Sequence, residues 1–202
     1  MTRSVLYMSM SLDGFITGPD DGPENGLGTG GEALHAWLFD GDNEVRGGAG
    51  VPVIRTSAAS LPVVHEMLAT GAVLSGRRTF DAARGWGGDH HNGVHIEVLT
   101  RTEPGADDVQ GPRIRYATDG IEAAMARAKA AAGDRDVMVH GATTAQLALQ
   151  AGVLDEIQIH QVPLLLGAGR SLFGTLGSPH PLELLRVIDA PGVTHLRYRV
   201  LR

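Results

Sequence analysis

Cysteine is missing from the 202-residue chain, which removes disulfides, thiolate catalysis and cysteine metal sites and makes a reducing cytoplasm an acceptable setting. Aromatic residues amount to only 4%, and no stretch reaches the roughly eighteen apolar residues of a membrane span. Positive charge is short as well. Lys and Arg number 17 against 23 Asp and Glu, a net charge of -6, so nothing draws the chain generally to nucleic acid or an anionic membrane. The opening MTRSVLYMSMSLDGF meets Asp13 and Gly14 before a secretory apolar region and cleavage site can form. The Walker phosphate loop, HExxH and GxSxG are also absent.

What is present, 43% hydrophobic and 20% charged residues, predicts one folded domain over 1–202. Short apolar runs predict strands over 5–10, 72–75, 95–99, 112–116, 136–140 and 154–163, with two terminal strands over 182–187 and 196–200. Helical spacing predicts helices over 32–39, 57–69 and 120–132, and a fourth in ATTAQLALQAG. Leu61, His65 and Leu68 would share a buried face, Asp119 would cap the third helix, and Arg127 would reach solvent. Residues 14–50 hold eleven of the 28 glycines, a long loop in which Trp37 and Phe39 argue for some packing. Strands alternating with helices, then a strand-rich end, imply a mainly parallel sheet with an antiparallel edge.

Three strand-to-helix turns carry the chemistry. GRRTF at 76–80 combines exposed backbone N–H groups with Arg77, Arg78 and Thr79, a set suited to a phosphate, although paired arginines equally form surface salt bridges. Thr100 and Arg101 repeat the arrangement after a second strand and favour a 2′-phosphorylated cofactor if the strands are neighbours. In HGATT at 140–144, Gly141 permits close backbone approach and Thr143 and Thr144 cap the helix or donate to a pyrophosphate. Asp13 is placed to contact substrate or to hold its own turn, and Glu66 to bind a heterocycle or to face solvent. Asp89, His90, His91 and His95 lack the spacing of a ligand shell, so no metal is expected.

The ordered motifs YMSMSLDGFITG, VLSGRRTFD, VLTR and VMVHGATTAQLALQAGVLDEIQIHQVPLLLGAGRSLF resemble the RibD C-terminal, dihydrofolate reductase-like family over almost the whole chain. The resemblance implies a three-layer α/β/α fold with a central mixed, mainly parallel sheet and an antiparallel C-terminal edge. It also implies an NADPH-dependent reductase, commonly a homodimer, acting on a small molecule, and the charge and missing cysteine add the expectation of a cytoplasmic protein without nucleic-acid or membrane partners. By resemblance Gly76, Arg77, Arg78 and Thr79 hold cofactor phosphates, and Leu99, Thr100 and Arg101 lie near the adenosine phosphate. His140, Gly141, Ala142, Thr143 and Thr144 form the pyrophosphate turn, where the family often has Gly-Gly and His140 is a departure. Asp13 would sit by the nicotinamide and substrate, under a mobile Gly-rich loop.

A riboflavin-biosynthesis reductase of this kind would take a 5-amino-6-(5-phosphoribosylamino)uracil-like pyrimidine, but after GRRTF this chain has DAARGWGG instead of the family's substrate-phosphate pattern. Dihydrofolate reductase activity would need an acidic helix residue, for which Glu66 is the substitute. Two readings outside catalysis stand beside these: a nucleotide-binding or ligand-sequestering protein, and a dimerisation module built on the C-terminal strands.

Overall fold

The computed structural model describes residues 2–47 and 52–202. Its centre is β1 (Ser4–Ser11), where side chains alternate between two apolar faces: Leu6 and Met8 on one, Val5 and Tyr7 on the other. The same alternation runs through β5 (Ala72–Gly76) and β8 (Val137–His140), as expected of parallel strands covered on both sides. With β6 (His95–Leu99), β7 (Ile114–Ala117), β9 (Glu156–Val162), β11 (Leu182–Ala190) and β12 (Val193–Val200) they form one eight-stranded sheet. Its order is β11-β12-β9-β1-β8-β5-β6-β7. The pairings from β9 to β7 are parallel, and β12 and β11 add the antiparallel edge.

Helices α3 (Ile121–Ala132) and α4 (Ala142–Gln150) cover one face with small residues, Ala124, Ala128, Ala145 and Ala148, that let helix and sheet approach closely. The other face carries α1 (Leu61–Leu68), α2 (Arg77–Ala82) and a 3-10 turn over Gly31–Leu38. The expected three layers are therefore present.

Several local expectations need correction. The buried face of α1 is Val63 and Val64, while His65 is exposed, because the helix starts only at Leu61 after a turn held by Ser57. The α3 helix begins after Gly120, and Asp119 does not cap it. Instead Asp119 and the fully buried Glu97 both bind Arg127, which is thereby drawn off the solvent face. Leu147, which the helix over ATTAQLALQAG was expected to pack with its alanines, is exposed. The 32–39 segment packs Trp37 as expected, with Leu34 beside it, but as a 3-10 turn over 31–38, and Phe39 just past its end is exposed. Around it the Gly-rich segment forms β2 (Phe15–Thr17) and β3 (Asn43–Val45), and β3 pairs with β4 (Ile54–Thr56). It is tied down by Gly18 N–H to Leu27 O and Thr29 N–H to Pro19 O, at 2.8 Å each. Residues 48–51 of that segment lie outside the described residues.

Candidate active site

Adjacent strands β5 and β8 send their following helices to opposite faces, α2 to one and α4 to the other. Between them a crevice opens at the carboxyl ends of the strands, the place where open α/β sheets bind ligands. The cleft that extends from it has a volume of about 2110 Å³.

One half of the cleft is a backbone cradle. Gly141 has φ +93°, and a side chain there would run into Thr79 Oγ1; one at Gly76 would meet Thr144 Oγ1 at 2.8 Å. The two turns approach each other through space that only glycine leaves open. Thr144 Oγ1 is buried without a hydrogen-bond partner, and neither it nor Thr143 caps α4, so the first N–H groups of that nine-residue helix remain for a ligand. Leu99 pairs with Gly76 across the sheet, which makes the 99–101 turn a neighbour of the 76–79 turn as its expected role requires.

The arginines divide. Arg77 lines the cleft but donates to both oxygens of Asp81 at 2.8 Å and also pairs with Asp108, which together hold its charge in place. Arg78 donates to Asp21 on the Gly-rich segment, and Arg170 of β10 (Arg170–Ser171) reaches the same carboxylate. Asp21 is accordingly held below the usual carboxylate range. Among the described residues Arg101 is the cleft arginine with no carboxylate partner.

The other half of the cleft is built of rings that the sequence pattern did not single out as a site. His35, Trp37, Trp86, His90, His140 and His160 line it. Trp37 packs on His160 with centroids 4.7 Å apart, and His90 lies 4.5 Å from Trp86 and 5.2 Å from His140. They come from four separate stretches of chain, so no motif spacing announces them. Burial pushes His35 and His140 down to about 4 and His90 and His160 well below their ordinary value, which keeps all four neutral near pH 7.

Two of these imidazoles end hydrogen-bond relays. Ser57 Oγ donates to Ser60 Oγ, which stands 2.9 Å from His195 Nε2, and His195 Nδ1 is 2.8 Å from His160 Nδ1. Run in that direction, the chain has Ser60 donating to His195 and His195 donating to His160, and places the remaining proton of neutral His160 on Nε2. That Nε2 is buried and unpartnered. In the second relay Thr70 Oγ1 donates to Met67 O and so accepts from His91 Nε2. His91 Nδ1 is then the acceptor for His90 Nδ1 at 2.7 Å, leaving His90 Nε2 as a lone pair.

Two expected site residues lie elsewhere. Asp13 does not line the cleft; its exposed carboxylate accepts from Ser11 Oγ and from the N–H groups of Leu166 and Gly167, and holds the turn after β1. Glu66 faces Arg186 and Arg197 at 2.6 and 2.9 Å, in an ion network outside the cleft, so its carboxylate is spent on structure.

The RibD C-terminal domain family matches residues 4–195. The chain belongs to that family. Its fold is that of solved dihydrofolate reductase-like members. A Shewanella sp. PV-4 protein assigned to riboflavin biosynthesis superposes with TM-score 0.74 at 21% identity over 100% of both chains. A pyrimidine reductase-like protein of Corynebacterium diphtheriae gives 0.62 at 13% identity, covering 100% of this chain and 92% of that one. The Thermotoga maritima diaminohydroxyphosphoribosylaminopyrimidine deaminase/5-amino-6-(5-phosphoribosylamino)uracil reductase gives 0.61 at 12% identity. The match takes in 99% of this chain but 57% of the Thermotoga one. No curated protein matches the chain. His140, at the head of the third turn, has its ring 6.1 Å from that of Trp86 and 5.2 Å from that of His90. Among the described residues no helix is long and apolar enough to cross a membrane.

Proposed function

We propose that the protein is an NADPH-dependent reductase that transfers a hydride to a small heterocyclic or carbonyl acceptor. The observation that carries this reading is the crevice where the 76–79 and 140–144 turns face each other with an orphaned Thr144 hydroxyl and an unpaired Arg101 beside them. NADPH fits that cradle. The backbone N–H groups at the start of α4 and the Thr144 hydroxyl would hold its pyrophosphate, and Arg101 its 2′-phosphate. When bound, the cofactor supplies the hydride. The chain's own part is to align donor and acceptor and keep water out, with the Gly-rich segment latched across the cleft by Asp21, Arg78 and Arg170. A reducing cytoplasm suits a chain without cysteine.

Titration with NADPH and NADH, with 2′-phosphorylated adenosine as competitor, tests the assignment. Saturable binding that prefers NADPH is expected, and Arg101→Ala should weaken NADPH about tenfold or more, the worth of a charge-assisted hydrogen bond, while leaving NADH unchanged. Equal losses for both cofactors would remove Arg101 from the 2′-phosphate. Dihydrofolate reduction loses its candidate acid, because Glu66 is committed to two arginines outside the cleft. A purely ligand-sequestering protein would bind NADPH without consuming it in any acceptor screen.

We also infer a homodimer through β11, an edge strand that exposes Leu182, Leu184, Leu185 and Val187. Light scattering should report twice the chain mass, and Leu184→Arg should halve it. A monomer at all concentrations would refute this.

A further inference from the structure

We propose that the acceptor half of the cleft takes an uncharged, planar compound without a phosphate group, gripped by a hydrogen bond with His160 Nε2. This rests on the reductase reading and narrows its substrate class. A phosphorylated acceptor needs a cation or a second row of free backbone N–H groups like the one the cradle keeps for the cofactor, because burying an unpaired phosphate is costly. Four arginines line the cleft, and four carboxylates, Asp21, Asp81, Asp89 and Glu122, line it with them. Arg77 is taken by Asp81 and Asp108, and Arg78 and Arg170 share Asp21. Arg101 stands at the carboxyl end of β6, beside the cradle. Among the described residues the ring-lined half therefore offers no free positive charge, and Asp89, next to His90, is matched by Arg113 at 3.9 Å. Residues 48–51, outside the described set, are Gly, Ala, Gly and Val and carry no side-chain charge.

What this half does offer is ring faces and neutral hydrogen-bonding nitrogens. Trp37, Trp86 and the imidazoles present flat apolar surfaces that favour a planar guest. Run from Ser57, the Ser60–His195 relay leaves the His160 proton on Nε2; run in reverse it leaves a lone pair there, and in both cases no protein group meets that atom, while His35 Nδ1 is a second buried atom with no partner. A carbonyl or ring nitrogen would satisfy the Nε2 proton and a ring N–H the lone pair, and unmet buried polar atoms of this kind are uncommon unless a ligand or water meets them. Among the described residues no three His, Asp or Glu side chains converge as metal ligands, so the imidazoles act as hydrogen-bonding groups. The phosphoribosylated pyrimidine named for the Thermotoga relative does not suit this half of the cleft.

The test is calorimetric binding of two matched pairs, riboflavin with riboflavin 5′-phosphate and uridine with uridine 5′-monophosphate. Saturating NADP+ keeps the phosphate cradle filled, and its own titration first tests the cofactor site separately, while NADPH consumption with an acceptor tests the reductase reading. At least one free compound should bind tenfold or more tightly than its phosphate ester. Equal or tighter binding of both esters, or binding of neither free compound, overturns the proposal. His160→Leu should weaken the preferred compound five- to tenfold, whereas His160→Gln, whose amide N–H stands near the position of Nε2, should retain most of the affinity. Unchanged affinity in a His160→Leu protein that still binds NADP+ would remove His160 from the acceptor site.

Discussion

Acidification from pH 7 to pH 5 should cost the protein most of its stability. Six of its nine histidines, His35, His90, His91, His140, His160 and His195, are held neutral in the fold, each chiefly by burial. Unfolded, each would take a proton at about its ordinary 6.5. Below that pH the unfolded chain binds more protons than the folded one, so stability falls as pH falls. The loss continues until the folded groups titrate, which for His35, His140 and His195 is at about 4. His195 is 1% exposed, and its shift from 6.5 to about 4 corresponds to about 3 kcal/mol. His35 and His140 border the cleft and contribute less because solvent reaches them. At pH 5 about 2 kcal/mol of the His195 contribution is already lost, a large fraction of a typical total stability of about 5–15 kcal/mol once further histidines add to it. The carboxylates of Asp21, Glu66 and Asp155, held low by their cations, add a further loss below pH 4. Urea midpoints at pH 7.5, 6.5, 5.5 and 5.0 measure it. A flat profile across that range would mean that the imidazoles take up protons within the fold at no cost.

The sheet was legible from sequence because parallel strands buried on both faces are short continuous apolar runs, and 72–75 reads that way almost to the residue. The glycine turns were legible for a related reason. Gly76 and Gly141 each end such a run and open a helix, so close backbone approach could be expected before the facing threonines were known. Charge pairing was not legible. Apart from Arg77–Asp81 at i,i+4 spacing, the partners Asp108, Asp21 and Glu97 of Arg77, Arg78 and Arg127 stand 31, 57 and 30 residues away. The ring-lined half of the cleft was hidden for the same reason. His160 and His195 face each other only because β9 and β12 pair antiparallel in that register, which places them directly opposite. Asp13 was legible as a turn residue: its carboxylate accepts from Ser11 Oγ and from the 166–167 backbone and does not line the cleft.

The cradle supplies the second large effect. Gly141→Ala should abolish measurable NADPH binding and destabilise the fold by about 2–4 kcal/mol, through backbone strain and a clash together. Gly141 sits at φ +93°, ψ 150°, a conformation that side chains strongly resist, and the added methyl would meet Thr79 Oγ1 across the crevice. Relief of the clash by a backbone shift would move the start of α4 away from α2, and the N–H groups at that start are the ones the pyrophosphate would use. The two causes can be separated with Thr79→Ala, which removes the hydroxyl but leaves the φ strain. In a double-mutant cycle Thr79→Ala should restore part of the stability of Gly141→Ala, a coupling of about 1 kcal/mol or more between residues in contact. Cofactor binding should return only weakly, because the strained turn still displaces its N–H groups. If Gly141→Ala folds and binds NADPH as tightly as the unsubstituted protein, the crevice between the two turns is not the cofactor site, and the reductase reading loses the observation on which it stands.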